Sequence, residues 1–110
     1  MHEVFKALAD PTRLRIVNML AKHGELCVCK IVERLGMGQP AVSHHLGKLR
    51  QTGLLRARRQ GQWMYYSLDT RVLRAGPLAM LDRIVSAAED EAKAPTDSDT
   101  CEPVNRGFIR

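Results

Sequence analysis

Apolar residues recur at intervals of three and four along most of the chain, a spacing that places them on one face of a helix. In the second such segment the spacing selects Leu14, Val17 and Leu20 as the apolar face. Asp10-Pro11 begins this helix, because aspartate accepts bonds from free amide groups and proline fits the first turn. The pattern predicts helices over residues 2–9, 11–23, 28–35, 39–51 and from Gly76-Pro77 to about Ala92.

The segment after the fourth helix has the character of a β-hairpin. Leu54–Gln60 and Trp63–Leu68 are strand-like and are joined by the turn residues Gly61-Gln62. Residues 93–110 lose all periodicity and are rich in Pro, Asp, Ser and Thr. We therefore expect a mainly α domain with a small β-hairpin at residues 1–92. We expect a flexible C-terminal tail, which carries Cys101, at residues 93–110.

The third and fourth helices are joined by a short turn, Gly36-Met37-Gly38, which is typical of a helix-turn-helix. With Val42 at the centre of the buried face, a set of polar side chains falls on the opposite side of the fourth helix, which fits the major groove of DNA. The predicted base-edge contacts are Gln39, Ser43 and His44, and the predicted phosphate contacts are Lys48 and Arg50. His45 lies at the margin of the buried face, so we expect it to pack or to cap.

The positive charge of the chain is concentrated in one third of its length. The net charge is +5, and no acidic residue occurs between Glu33 and Asp69, a segment that holds six basic residues. Such a concentration is typical of a surface that binds a polyanion. The hairpin then acts as a wing that contacts phosphates or the minor groove through Arg56, Arg58, Arg59 and Gln62. We expect DNA binding to weaken steeply as salt rises.

Composition limits the remaining classes of protein. No apolar run approaches the roughly 18 residues of a membrane span, and MHEVFKALAD lacks the apolar core of a secretory signal. We therefore expect a soluble cytoplasmic protein with no membrane partner. No nucleophile, base and oxyanion group fall into a recognisable catalytic motif, so we expect no enzyme and no organic cofactor.

Three segments of the chain resemble one family of regulators. They are FKALADPTRLRIVNML, ELCVCKIVERL and QPAVSHHLGKLRQTGLLRARRQGQWMYYSL, and they resemble the ArsR/SmtB family of metal-responsive repressors over residues 4–68. The resemblance implies a winged helix-turn-helix that forms a homodimer through its first and last helices. It also implies that the apo dimer binds an inverted-repeat operator in double-stranded DNA, and that an effector lowers its affinity for DNA.

The cysteines indicate the effector. Glu25–Cys29 resembles the ELCVC box of the arsenic, cadmium and lead sensors of that family, which implies As(III) or a related soft ion as inducer, bound by Cys27 and Cys29. Residues i and i+2 lie about 200° apart on a regular helix. Both sulfurs therefore bind one ion only if the helix start is irregular or becomes so on binding. Our hypothesis is that binding unwinds or reorients the start of helix 28–35 and so displaces the recognition helix.

A third sulfur is not supplied where one subgroup of the family has it, because Val32 occupies that position. Cys101 is the candidate third ligand, from the same chain or from the partner. Without it, a site with two protein ligands suits a methylated or aryl trivalent arsenical. Residues 77–92 contain no histidine, so we expect no zinc-type site on the last helix.

Three alternatives remain open at this point. Cys27 or Cys29 could pair with Cys101 as a disulfide or polysulfide, which would make a redox or sulfide sensor of the same fold. The same thiolates could serve a cadmium- or lead-responsive repressor. A nucleoid-type or RNA-binding protein without an inducer would bind without preference for a palindrome.

Overall fold

The computed structural model describes residues 2–93. Its elements are α1 (His2–Leu8), α2 (Pro11–His23), β1 (Leu26–Cys27), α3 (Val28–Leu35), α4 (Gln39–Gln51), β2 (Leu55–Gln60), β3 (Trp63–Leu68), α5 (Thr70–Leu73), a π-helical turn (Arg74–Leu78) and α6 (Ala79–Lys93). The mainly helical fold with a small antiparallel sheet confirms the predicted fold class. Among these residues no helix is long and apolar enough to cross a lipid bilayer.

The chain divides into two units, one that ends at Ala79 and one that begins at Met80. The first unit holds α1–α5 and the sheet, and the second holds nearly all of α6. The predicted tail, including Cys101, lies outside the described residues. The division into a domain at 1–92 and a tail at 93–110 therefore stays a prediction.

Helix α2 begins and ends as the sequence predicts. Asp10 is its N-cap, and the Asp10 carboxylate accepts a bond from the backbone N–H of Arg13 at 3.0 Å. The chain leaves the helix at Gly24, whose N–H donates to the carbonyl of Leu20 at 2.8 Å. Gly24 has φ 80°, a conformation that residues with a Cβ rarely adopt. These two signals fix the length of α2, which packs against α4.

The core of the first unit lies between α2, α3, α4 and the start of β2. Its fully buried side chains are Ile16, Leu20, Ile31, Val42, Leu46, Leu49 and Leu54. Leu14 is 44% exposed, contrary to the predicted face of α2. Val17 and Leu20 are buried as predicted, and Ile16 takes the place of Leu14 on the buried side of α2. The spacing of apolar residues along the chain is compatible with either Leu14 or Ile16 on the buried face, and the packing of the folded protein places Ile16 there.

The wing belongs to a three-stranded antiparallel sheet with the order β1-β3-β2. β2 and β3 form the predicted hairpin, with Gln60 opposite Trp63 next to the turn. β1 was not predicted from the sequence pattern; it places Leu26 opposite Tyr66 and Cys27 opposite Tyr65. Two residues are too few to show the alternation that predicts a strand.

The last helical segment begins earlier than predicted. Pro77 was expected in the first turn of a helix, but helical structure starts at Thr70 and Pro77 lies inside the π-helical turn. Proline lacks an N–H and clashes with the preceding turn of an α-helix, and a wider turn relieves both problems. In the second unit, α6 carries Leu81, Ile84 and Val85, each at least half exposed.

Asp69 is the N-cap of α5 and accepts several hydrogen bonds at the start of that helix. Its carboxylate accepts bonds from the Arg71 side chain at 3.1 Å, from the Arg71 N–H at 3.1 Å and from Arg56 Nε at 3.2 Å. These hydrogen bonds, those from Arg71 first, hold the pKa of Asp69 far below its ordinary value. A depressed carboxylate pKa stabilises the fold above the unfolded pKa of about 4, and this stability is lost as the pH falls.

We therefore expect the free energy of unfolding of the wild type to fall between pH 7 and pH 3, and to fall less in Asp69→Asn. Urea denaturation at the two pH values measures both changes. Asp82→Asn, at an aspartate that makes no ion pair within residues 2–93, is the matched control and should behave as the wild type. An equal loss in Asp69→Asn and the wild type would contradict this role of Asp69.

Candidate DNA interface and thiol site

The recognition helix is held by one apolar face and exposes the other. Helix α3 ends at Gly36, which adopts the left-handed conformation with φ 68° and so turns the chain towards α4. On α4, Val42, Leu46 and Leu49 are at most 1% exposed. This seam fixes the rotation of α4 about its own axis and leaves its opposite face open to solvent.

All five side chains that were predicted to contact DNA from α4 are exposed: Gln39, Ser43, His44, Lys48 and Arg50. The predicted base-edge contacts lie in the first half of the helix, the part that usually meets bases in a helix-turn-helix. Lys48 also lines a surface groove beside α1 and α2, together with Lys6 and Arg13. The groove therefore brings two further cations close to Lys48, together with one carboxylate, that of Glu3.

His45 has the supporting role that its position at the margin of the face predicts. It is only partly exposed, and its Nδ1 accepts a bond from Arg13 Nε at 3.3 Å. The same nitrogen lies 3.9 Å from the carboxylate of Asp10. His45 thereby ties the middle of α4 to the beginning of α2.

The wing carries fewer unpaired cations than the sequence suggests. Arg56 pairs with Asp69, and Arg58 pairs with Glu25 through two bonds of 3.0 and 2.6 Å. The Arg58 bonds lower the pKa of the Glu25 carboxyl below its ordinary value. The segment between positions 33 and 69 contains no acidic residue, but folding brings the carboxylates of Glu25 and Asp69 next to the wing. Arg59 and Gln62 are exposed and make no side-chain hydrogen bond within residues 2–93.

The two cysteines of the predicted site lie together at the start of α3. Cys27 is the N-cap of this helix and has an extended backbone, with φ −78° and ψ 157°, whereas Cys29 lies in the first turn. Their Cα atoms are 5.4 Å apart, and the structure joins the sulfurs as a disulfide. Cys27 therefore lies outside the helical turns, so the two sulfurs approach each other without an irregularity inside α3. We refer to Cys27 and Cys29 as the thiol pair.

The thiol pair has the donor chemistry of a soft-ion site once it is reduced. Cys29 is exposed and Cys27 is partly buried, so a ligand can reach both sulfurs from solvent. Adjacent thiolates suit a thiophilic ion and do not suit a hard cation. Within residues 2–93 no three His, Cys, Asp or Glu side chains form a metal-binding group, so this part of the chain places no third protein ligand beside the thiol pair. Cys101, the predicted third ligand, lies outside this range.

Comparison with known proteins identifies the family. The family model for bacterial regulatory proteins of the arsR family matches residues 10–57. The chain is 46% identical to an arsenic resistance transcriptional regulator of Pseudomonas putida over 87 residues, which are 79% of this chain and 67% of that protein. It belongs to the arsR family. Its members are DNA-binding transcriptional regulators, so this chain is a regulator and not an enzyme.

Two further proteins show how far the likeness extends. The arsenical resistance operon repressor of Escherichia coli is 49% identical over 70 residues, which are 64% of this chain and 60% of that repressor. A crystal structure of a possible transcriptional regulator for arsenical resistance superposes with a TM-score of 0.63 at 32% identity, and the match covers 79% of this chain and 96% of that one. The winged-helix architecture is therefore shared with solved members of the arsR family.

In this arsR-family chain the sheet connects the thiol pair to the wing. Cys27 on β1 lies opposite Tyr65 on β3, and Tyr65 lies opposite Arg58 on β2. The guanidinium of Arg58 stacks over the Tyr65 ring at 4.8 Å from its centroid. Neither Tyr65 nor the carboxylate of Glu25 was predicted as a functional residue. No sequence pattern predicts a contact between residues that are 33 positions apart, such as Glu25 and Arg58.

Proposed function

We propose that this regulator is a homodimeric repressor of an inverted-repeat operator, and that it releases the DNA when a trivalent arsenical binds Cys27 and Cys29. The observation that carries the proposal is the placement of two adjacent sulfurs at the start of α3. Helix α3 is the element directly before the recognition helix. The names of the arsenic resistance relatives support the same inducer.

The chemistry of the thiol pair fits this class of inducer. Two reduced thiols condense with a trivalent arsenic hydroxide, two arsenic–sulfur bonds form, and the thiol protons leave with two hydroxide groups as water. Soft sulfur donors favour such a centre over a hard cation. An aryl or methyl arsenical needs only these two sulfurs. Arsenite gains a third if Cys101, from the same or the partner chain, reaches the site.

Coupling to DNA runs through the packing of α3 on α4. Ile31 and Leu35 on α3 are buried in the same core as Val42 and Leu46 on α4. A change in the direction of α3 therefore moves the seam on which α4 rests, because a packed core transmits displacement. The sulfurs are adjacent while α3 is intact from Val28 onward, which favours reorientation of α3 over its unwinding.

The proposed homodimer has support from the surface of the last helix. Leu81, Ile84 and Val85 of α6 are 50%, 56% and 51% exposed. Several large apolar side chains of one helix left in solvent are typical of an interface between proteins. The family resemblance assigns the interface to the first and last helices, so a second copy of this chain is the proposed occupant.

A second candidate is a thiol-disulfide switch, which the disulfide between Cys27 and Cys29 favours. Exchange with a small disulfide such as oxidised glutathione would join the two sulfurs and release two glutathione thiols. The expected partner of either cysteine in this alternative was Cys101, but the structure pairs the two with each other. Oxidation would also consume both ligands of the arsenical site, so the two inputs exclude one another.

Binding of reduced protein to its own upstream DNA tests the proposed function. We expect an aryl arsenical or arsenite to lower the DNA affinity of the wild type by roughly 5- to 150-fold, the range of typical allosteric coupling. The Cys27→Ser/Cys29→Ser variant should bind DNA as the wild type does and show no response. Fluorescence anisotropy with added arsenite, phenylarsine oxide, antimonite, cadmium or lead gives both values.

Two further conditions separate the candidates. Cys101→Ser is the matched single-sulfur control, and loss of the arsenite response alone in this variant assigns Cys101 as third ligand. Oxidised glutathione without metal should release DNA only if the disulfide switch operates. Normal induction of the doubly serine-substituted protein by thiophilic ions would overturn the arsenical proposal.

A further inference from the structure

Three hydrogen bonds within the protein hold the side chain of Arg58. Its Nε and Nη2 donate to the two carboxylate oxygens of Glu25 at 3.0 and 2.6 Å, and its Nη1 donates to Gln60 at 2.6 Å. Two parallel bonds to one carboxylate form the same fork that a guanidinium offers to a phosphate. Glu25 therefore occupies the edge of Arg58 that a DNA phosphate would need.

Glu25 belongs to the segment that carries the thiol pair. It lies two residues before Cys27, and Cys27 stands in one cross-strand row with Tyr65 and Arg58. Residues directly opposite one another in a sheet project from the same face. Arg58 is thus connected to the segment Glu25–Cys29 in two ways: through the cross-strand row that includes Cys27, and through the carboxylate of Glu25.

The pair between Glu25 and Arg58 is weak enough for DNA to compete with it. The side chains of Arg58 and Glu25 are 50% and 35% exposed. Ion pairs in such surroundings contribute little to stability, because water and salt screen them. A phosphate on bound DNA can therefore take over Arg58 with little penalty, and a small change at Glu25 can shift the balance.

We propose that Glu25 is a stand-in for a DNA phosphate: it competes with operator phosphates for Arg58, so that Arg58 is divided between Glu25 and the DNA in the wild-type complex. The proposal adds that ligation of Cys27 and Cys29 favours the return of Arg58 to Glu25, and this part rests on the proposed function. Two sulfurs fixed to one atom restrict the backbone of the segment that positions Glu25. A carboxylate that is already in place binds its partner better than a mobile one.

The salt dependence of DNA binding tests the competition directly, without any inducer. Glu25→Gln is nearly isosteric and frees Arg58 for a phosphate. We expect the slope of log K against log salt to steepen, by at most about 0.9 for each bound protomer, which is the value of one full added phosphate contact. Glu33→Gln is the matched control, because it removes the same charge from a residue that pairs with Lys30 and not with Arg58.

The outcomes of the salt measurement separate the contact from a general charge effect. Glu33→Gln should keep the wild-type slope, and Arg58→Gln introduced into the Glu25→Gln protein should remove the added slope. A slope for Glu25→Gln equal to that for Glu33→Gln would overturn the proposal. Thermal unfolding of each variant by circular dichroism checks that all are folded when they are compared.

The response to phenylarsine oxide tests the link to the thiol pair. We expect the ratio of DNA dissociation constants with and without this reagent to be several-fold smaller in Glu25→Gln than in Glu33→Gln. Equal ratios would overturn the link. If neither the wild type nor Glu33→Gln responds at all, the proposed function fails and the link with it, while the salt slopes still decide whether Glu25 competes for Arg58.

Discussion

Replacing Leu46 by alanine is expected to lower the free energy of unfolding by about 2–5 kcal/mol, as removal of a fully buried leucine side chain does when the cavity cannot close. Leu46 is 1% exposed and sits at the middle of the α4 seam between Val42 and Leu49. Domains of this size are stable by only about 5–15 kcal/mol, so this loss is a large part of the total. Urea denaturation followed by circular dichroism measures the change.

Leu14→Ala is the matched control for the core prediction. It removes the same atoms from a leucine that is 44% exposed, so its cost should stay within about 1 kcal/mol. A similar cost at both positions would show that the burial of the α4 seam does not determine stability. The Leu46→Ala protein should also bind DNA more weakly, because the seam fixes how α4 faces the groove.

The Ser43→Ala/His44→Ala variant is expected to lose most of its specific affinity for the operator. Both side chains lie on the exposed face in the first half of α4. A good base contact contributes roughly 1–3 kcal/mol of discrimination, so loss of two would weaken specific binding by about 30-fold to 10⁴-fold. Anisotropy titrations on the upstream palindrome and on a scrambled duplex give the specific and the non-specific affinity.

The non-specific affinity should change little in this variant, since the basic residues that contact phosphates remain. Asn18→Ala/His23→Ala is a matched control, because it removes side chains of similar chemistry from the exposed surface of α2. If Ser43→Ala/His44→Ala keeps the wild-type preference for the palindrome, the first half of α4 does not read the bases.

Local signals in the sequence predict most of the fold. Asp10 and Gly24 mark the ends of α2, and the spacing of Val42, Leu46 and Leu49 fixes the buried face of α4. Each of these signals acts within one or two turns of chain, where propensity and capping decide the structure. The hairpin was predicted for the same reason, because its turn and strand residues are contiguous.

Features that depend on distant contacts could not be predicted in this way. β1 exists because Leu26 and Cys27 find partners on β3, and two residues hold no periodicity of their own. The π-helical turn around Pro77 is a response to a proline inside a helix, whereas the sequence pattern treats proline as a helix start. Tertiary context overrides local preference in both cases.

The sequence predicted the individual residues of the candidate site but not how they contact one another. The sequence identifies Cys27 and Cys29 as ligands, yet the extended N-cap that brings their sulfurs together is a property of the fold. The charge pattern identifies Arg58 as a cation for DNA, yet Glu25 neutralises it from a position 33 residues away. Long-range pairs of this kind leave no trace in charge counts along the chain.

The placement of the thiol pair on an edge strand and a helix start has a consequence for engineering. None of the side chains from Glu25 to Cys29 is buried in the core, and the groove-reading residues belong to another element. Leu26 and Val28 pack against the core, whereas exchange of Glu25, Cys27 and Cys29 leaves the hydrophobic interior in place. Side chains with other donor atoms can replace the thiol pair, so that variants of this regulator would control one promoter in response to different ligands.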